Sequence, residues 1–211
     1  MKKLNNLVVI CVLVAIILTM SGFSNRPTKS DSGFTDVKDG AWYFDAVVAM
    51  KNGRLINGYG DGTFGPDDYI TYAQFCQILS NYKKFTKMDD SDYWGYSAVA
   101  QCKEHKYIED RGDITSGNYD VPMTREAAVS AMVRAVHDSS LEITDTNKFT
   151  SNDIPDYNSI SSVYADEVLE GYRLGITTGM DSSHTFYPKG TLTRAQVCQL
   201  FYNLDWTTVE D

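Results

Sequence analysis

Three short strings recur along the chain: Ile70-Thr71-Tyr72-Ala73-Gln74, Met123-Thr124-Arg125-Glu126-Ala127 and Leu192-Thr193-Arg194-Ala195-Gln196. Each is an apolar residue, a threonine and a helix-forming run, and the threonines lie 53 and 69 positions apart. Upstream of the first, Gly58-Tyr59-Gly60-Asp61-Gly62-Thr63-Phe64-Gly65-Pro66 matches Gly179 to Pro188 upstream of the third, which is one residue longer. The second string has Gly112-Asp113-Ile114-Thr115-Ser116-Gly117-Asn118-Tyr119 and Pro122 in that place. Further back, Trp42-Tyr43-Phe44 matches Trp94-Gly95-Tyr96, with Val163-Tyr164 a weaker third copy. Repetition at this spacing constrains the fold strongly. A unit of about 50 residues buries little surface alone, so stable copies must pool their apolar faces into one core.

The units run over residues 32–84, 88–138 and 149–206, joined by polar linkers. Each is expected to hold two helices. The first starts near the aromatic pair and carries Ala46, Val47, Ala49 and Met50, then Ala98, Val99 and Cys102, then Val168, Leu169 and Tyr172. The second starts at the threonine. Thr71 with Gln74, and Thr193 with Gln196, fit a reciprocal capping box, whereas Ala127 breaks it in the second unit and leaves Thr124 to cap alone. Phe75, Ile78, Leu79 and Tyr82 then share one face, as do Ala128, Ala131, Met132 and Ala135, and Val197, Leu200, Phe201 and Leu204. The small alanine stripe lets the second unit's helix approach its neighbours closely. The expected class is all-α.

The chain begins differently. Lys2 and Lys3 precede an apolar run from Leu7 to Leu18, and Ser21-Gly22-Phe23-Ser24 follows. These are the parts of a secretory signal at residues 1–24, and the run is short of the ~20 residues of a spanning helix. An uncleaved anchor is the alternative, and only then would the chain meet a membrane. The net charge is −9, and cleavage removes two lysines and makes the chain more acidic still. That balance argues against a nucleic-acid partner. It also means that any anion site must be local. Cys76, Cys102 and Cys198 remain after cleavage, an odd number that reads as buried, reduced thiols. Three scattered histidines and no CxxC offer no zinc site, and nothing calls for a cofactor.

The order of aromatic pair, helix, Asp-Gly-Thr-Phe loop and Thr-led helix resembles the S-layer homology domain family, in that family's usual number of three. The first unit is the clearest, with Trp42-Tyr43, Asn57 to Pro66 and Ile70-Thr71. The resemblance implies a pseudo-threefold helical bundle with outward loops. It also implies noncovalent attachment to a secondary cell-wall polysaccharide, commonly pyruvylated, at the surface of a Gram-positive-type bacterium. The family's ligand-holding Arg falls on Arg125 and Arg194, and Tyr72 stands there in the first unit. The family's Glu falls on Gln74, Ala127 and Gln196, so no repeat keeps it.

Chemistry fits those positions. An Arg fork can donate two parallel hydrogen bonds to a carboxylate, and a helix N-terminus adds N–H groups and partial positive charge. A surface Arg paired with a neighbouring carboxylate is the competing reading. Trp42 and Trp94 have the apolar body and indole donor that suit a sugar face, but aromatics at repeated positions usually pack, which favours an anchoring role against the core. Tyr72 could substitute a phenolic donor. Asp61-Gly62 reads as a turn whose carboxylate could also meet sugar hydroxyls. Thr71, Thr124 and Thr193 complete the candidate set, placed at the helix starts. Enzyme signatures such as GxSxG, HExxH or a P-loop are absent from the sequence. The acidic pairs Asp67-Asp68 and Asp89-Asp90 read as solvated loop residues. The sequence therefore points to an exported, non-catalytic wall-binding module, with a degenerate protein-interaction module of the envelope as the alternative.

Overall fold

Among the described residues six α-helices carry the fold: α1 (Phe44–Asn52), α2 (Tyr72–Tyr82), α3 (Tyr96–Glu104), α4 (Arg125–His137), α5 (Ala165–Arg173) and α6 (Arg194–Asn203). Two short 3-10 turns, Ser151–Asp153 and Tyr157–Ser159, precede α5. The computed structural model describes residues 31–88, 93–109, 118–139 and 148–204. The signal-like segment, Asp89-Asp90 and most of the Gly112–Tyr119 loop lie outside them. Two compact units divide the chain, Met1–Asp31 and Ser32–Asp211, and every helix above belongs to the second. Among the described residues no helix is long and apolar enough to cross a membrane. The all-α expectation holds, with extended pairing limited there to three isolated bridges.

Helix contacts run in one cyclic order. The first helix of each repeat packs on the second helix of the one before: α3 on α2, α5 on α4, and α1 on α6. The apolar residues before the threonines close the same cycle through backbone bonds. Ile70 N donates to Leu192 O at 3.0 Å, Leu192 N to Met123 O at 3.1 Å, and Met123 N to Ile70 O at 2.9 Å. All three side chains are buried. A backbone ring of this kind cannot close with one repeat missing, so each helix start depends on its neighbour.

The stripes read from the sequence face a shared core. Phe75 of α2 and Phe201 of α6 meet at 5.8 Å between ring centroids. Helix α4 is buried nearly all round, from Arg125 and Glu126 to Val136. A glycine of the neighbouring helix permits that depth: an added Cβ on Gly171 of α5 would come 2.4 Å from Val129 Cγ1. Thr71 and Thr193 cap α2 and α6 with the full reciprocal box. Thr124 differs from expectation: it occupies the cap of α4 but its side chain makes no cap hydrogen bond. The thiols of Cys76, Cys102 and Cys198 are free and buried, as expected, and burial pushes Cys198 up to about 12.

The tryptophans depart from the anchoring reading. Trp42 is 62% and Trp94 56% exposed. The neighbouring tyrosines, Tyr43, Tyr93 and Tyr164, pack against the core instead. In the second repeat Gly95 stands where the first has Tyr43, and a Cβ there would meet the Tyr93 ring and Ala73 at 3.0 Å.

Candidate functional site

The first two amides of α2, α4 and α6 are each taken by a neighbouring repeat. Tyr72 N and Ala73 N donate to Val121 O and Tyr119 O. Arg125 N and Glu126 N donate to Gly190 O and Pro188 O, and Arg194 N and Ala195 N to Asp68 O and Pro66 O. The two leading donors that a helix N-terminus would offer an anion are thus engaged in each of the three helices. Those orphan donors satisfy the next repeat's loop instead. What remains for recognition is side-chain chemistry.

Arg125 opens α4 and is only 5% exposed. Among the described residues no carboxylate pairs with it. Its Nη2 meets the Sδ of Met180, a thioether and a weak acceptor. Burial pushes its pKa down to about 10, which still leaves it charged at neutral pH. A guanidinium held in this way is an uncompensated buried cation, and it favours an anion. It lines a groove of about 280 Å³ with Trp42, Thr177, Thr178, Gly179, Met180, Gln196, Gln199, Leu200 and Asn203. All three repeats contribute: Trp42 from the first, Arg125 from the second, and the 177–180 loop with one face of α6 from the third. Asn203 Nδ2 ties α6 to the loop through Ile176 O at 3.0 Å, and Gln199 Nε2 donates to Asn203 Oδ1 at 2.7 Å.

Arg194 holds the matching place on α6 but is engaged. Its Nε donates to Phe64 O and its Nη2 to Asn57 O, both at 2.8 Å. Its guanidinium carbon lies 4.8 Å from the Tyr59 ring and 4.5 Å from that of Phe64. The loop beneath is firm. Asp61 Oδ1 accepts from Thr63 N and Oγ1, at 2.9 and 2.6 Å, and Gly62 turns at φ +89°. Asp61 and Gly62 thus build the turn that shapes the Arg194 side, away from the Arg125 groove's lining.

Tyr72 is fully buried. It borders a small cavity of about 10 Å³, with Tyr107, Ile108, Glu109, Ala127, Arg134 and Tyr164. Arg134 bridges Glu167 at 2.8 Å and Glu109 at 3.1 Å across it. That leaves room for no more than about one water. So the structure brings Trp42 and Arg125 together, and keeps Trp94, Arg194, Tyr72, Asp61 and the capping threonines out of that groove's lining.

Sequence reading missed the groove's other walls, Thr177, Met180, Gln199 and Asn203. The repeat register could have found them, since Asn81 Nδ2 bonds Leu55 O at 3.0 Å as Asn203 bonds Ile176 O. It also missed Asp36 and Asp156. Asp36 accepts from Phe64 N and Gly65 N at 2.8 and 2.7 Å. Asp156 accepts from Phe186 N and Tyr187 N at the same distances. These carboxylates pin each loop to the start of its own repeat, and the signal was an aspartate at similar offsets, 28 and 30 residues before the loop phenylalanine.

A small helical module of cyclically interlocked repeats with loop-lined grooves defines the class. The first and third repeats match the S-layer homology domain family over residues 33–76 and 153–198. Over 97% of its length the chain is 25% identical to an endoglucanase of Bacillus sp. (strain KSM-635), of which it covers 22%. Over 48% it is 31% identical to a cell surface protein of Thermoanaerobacter kivui, of which it covers 13%. Over 38% it is 34% identical to a cellulosome-anchoring protein of Acetivibrio thermocellus, of which it covers 19%. The chain thus spans about a fifth or less of the length of these relatives. The family and these relatives support an anchoring role at the cell surface.

Proposed function

We propose that the chain is an exported, non-catalytic wall-binding module that holds an acidic, pyruvylated secondary cell-wall polysaccharide in the Arg125 groove. The observation that carries this reading is the buried guanidinium without a carboxylate partner among the described residues, lining a groove built by all three repeats. Its fork suits a sugar carboxylate. Trp42, exposed at the rim, offers a ring face to the sugar body. The cell-surface and cellulosome-anchoring relatives support attachment to the wall. The enzyme relative shares a segment amounting to 22% of its own length, which fits an attachment part common to different cargoes. Residues 1–24 serve as the export signal, and the wall and cell surface are the destination.

Co-sedimentation with purified wall sacculi tests this, before and after chemical removal of the secondary polysaccharide. Binding that disappears with the polymer and with Arg125→Ala is the expected result. Binding that survives either change would reject the polysaccharide reading and favour a protein-interaction module of the envelope.

A further inference from the structure

Tyr59 and Met180 occupy one place in two copies of the same loop. Tyr59 N donates to Thr63 O at 3.0 Å and Met180 N to Thr185 O at 2.8 Å, each closing its loop in the same way. Both residues lie against the first-turn arginine of a neighbouring repeat. The hold they exert differs. Tyr59 is fastened at two points: its ring faces the Arg194 guanidinium, and its hydroxyl donates to Asp68 Oδ2 at 2.9 Å. To leave, it would break a cation–π contact and a charge-assisted hydrogen bond together. Arg194 would still be bonded to two carbonyls. Met180 rests on Arg125 through its thioether alone and is 46% exposed. An unbranched, flexible side chain with a weak acceptor gives way easily to a carboxylate. At the third position Tyr72 replaces the first-turn arginine, and the Arg134 cation beside it is already bridged to Glu167 and Glu109.

We infer that the chain holds its acidic ligand through one groove only, that of Arg125, and that Met180 is the displaceable cover which keeps this groove open to exchange while Tyr59 seals its counterpart. The inference rests on reading the Arg125 groove as an anion site. It makes the chain monovalent despite three repeats. The groove, at about 280 Å³, lies near the lower end of ligand-sized pockets, which fits a single acidic sugar unit.

The test uses the whole chain labelled at methionine methyl groups and at arginine Nε, titrated with sodium D-glucuronate, and with D-glucose as the neutral control. The Met180 methyl and Arg125 Nε–H signals should move together and saturate with glucuronate. The Arg194 signal should stay in place, and glucose should move none of them. Met180→Tyr should weaken the Arg125 response by about tenfold or more, as a ring held by cation–π attraction replaces a thioether. Circular dichroism should not change. Three results would each overturn the inference: an Arg194 signal that titrates in the same range, a Met180→Tyr variant that responds like the parent, or an Arg125 signal unmoved at about 100 mM glucuronate, far above the millimolar range of weak contacts. Sacculus binding by Arg125→Ala separates the two readings. If wall binding survives that change, the wall reading fails. If it is lost while Arg194 titrates or Met180→Tyr has no effect, only monovalency and the cover fail.

Discussion

Arg194 donates to the carbonyls of Asn57 and Phe64 and lies against the rings of Tyr59 and Phe64, whereas Arg125, at the same helix position, is buried against a thioether with no carboxylate paired to it among the described residues. One arginine has become part of the architecture and the other retains unspent capacity for an anion. A motif position therefore does not define a role. The partner loop does, and here a tyrosine or a methionine at one loop site separates a sealed side from an open groove.

The sharpest way to break this comparison is to remove each arginine. Arg125→Ala should lower wall binding by about 30-fold or more, the scale of truncating one partner of a buried charge contact, while thermal stability stays level or rises as an unpaired buried charge disappears. Arg194→Ala should do the reverse to the fold. Losing two charged-donor hydrogen bonds and the ring contacts should cost about 2–3 kcal/mol in urea unfolding. If Arg125→Ala destabilises as much as Arg194→Ala, the contrast is wrong.

Gly171→Ala probes the depth at which α4 sits. The new methyl would press on Val129 Cγ1, 2.4 Å away, and overpacking of this kind costs about 1–3 kcal/mol. Chemical denaturation should show the loss. Helix α4 carries Arg125, so wall binding should fall along with stability, and unchanged binding would show that α4 position does not set the groove.

Caps give a smaller difference between the repeats. Thr71→Ala and Thr193→Ala should each cost about 1 kcal/mol, because each removes a bond to the N3 amide. Thr124→Ala should cost clearly less, since its side chain caps nothing. Equal losses in denaturant melts would contradict the capping difference.

The smallest effect should be shared by the loops on both sides. Hydrogen bonds from Thr63 hold the Asp61 carboxyl below its ordinary 3.8, and those from Thr185 hold Asp181 below the same value. A folded pKa below the unfolded one gives stability that is present above 3.8 and lost as pH falls through the folded value. Melting temperature should be flat near neutrality and decline in acid below about pH 4, and Asp61→Asn and Asp181→Asn should each flatten that decline. A decline that is unchanged in both variants would remove these loops from the acid response.

Much of this protein was legible in its residues. The i, i+3, i+4 stripes predicted the buried faces of α2 and α6, and the Thr–Gln spacing predicted two capping boxes, because both are local consequences of helical geometry, whereas α4 is buried well beyond its stripe. The small alanine stripe also foretold the deep seat of α4. The tryptophans were misread because an aromatic before a helix has two ways to pack, and the adjacent tyrosines took the buried one. Thr124 was expected to cap alone, yet local propensity did not settle its rotamer. The helix N-termini were read as free donors because nothing local reveals that a neighbouring repeat's carbonyls fill them.

Sequence by itself determined the repeats, the helix class, the capped starts and the short set of arginines worth considering, since each follows from contacts within about ten residues. Only the tertiary structure decided which arginine is spent and which is available. That depends on what faces each guanidinium from a different repeat: Asn57 O and Tyr59 for Arg194, and the Met180 thioether for Arg125. Those neighbours lie 137 positions away in the first case and 55 in the third, a separation bridged by the closed cycle of repeats and by nothing in the local pattern.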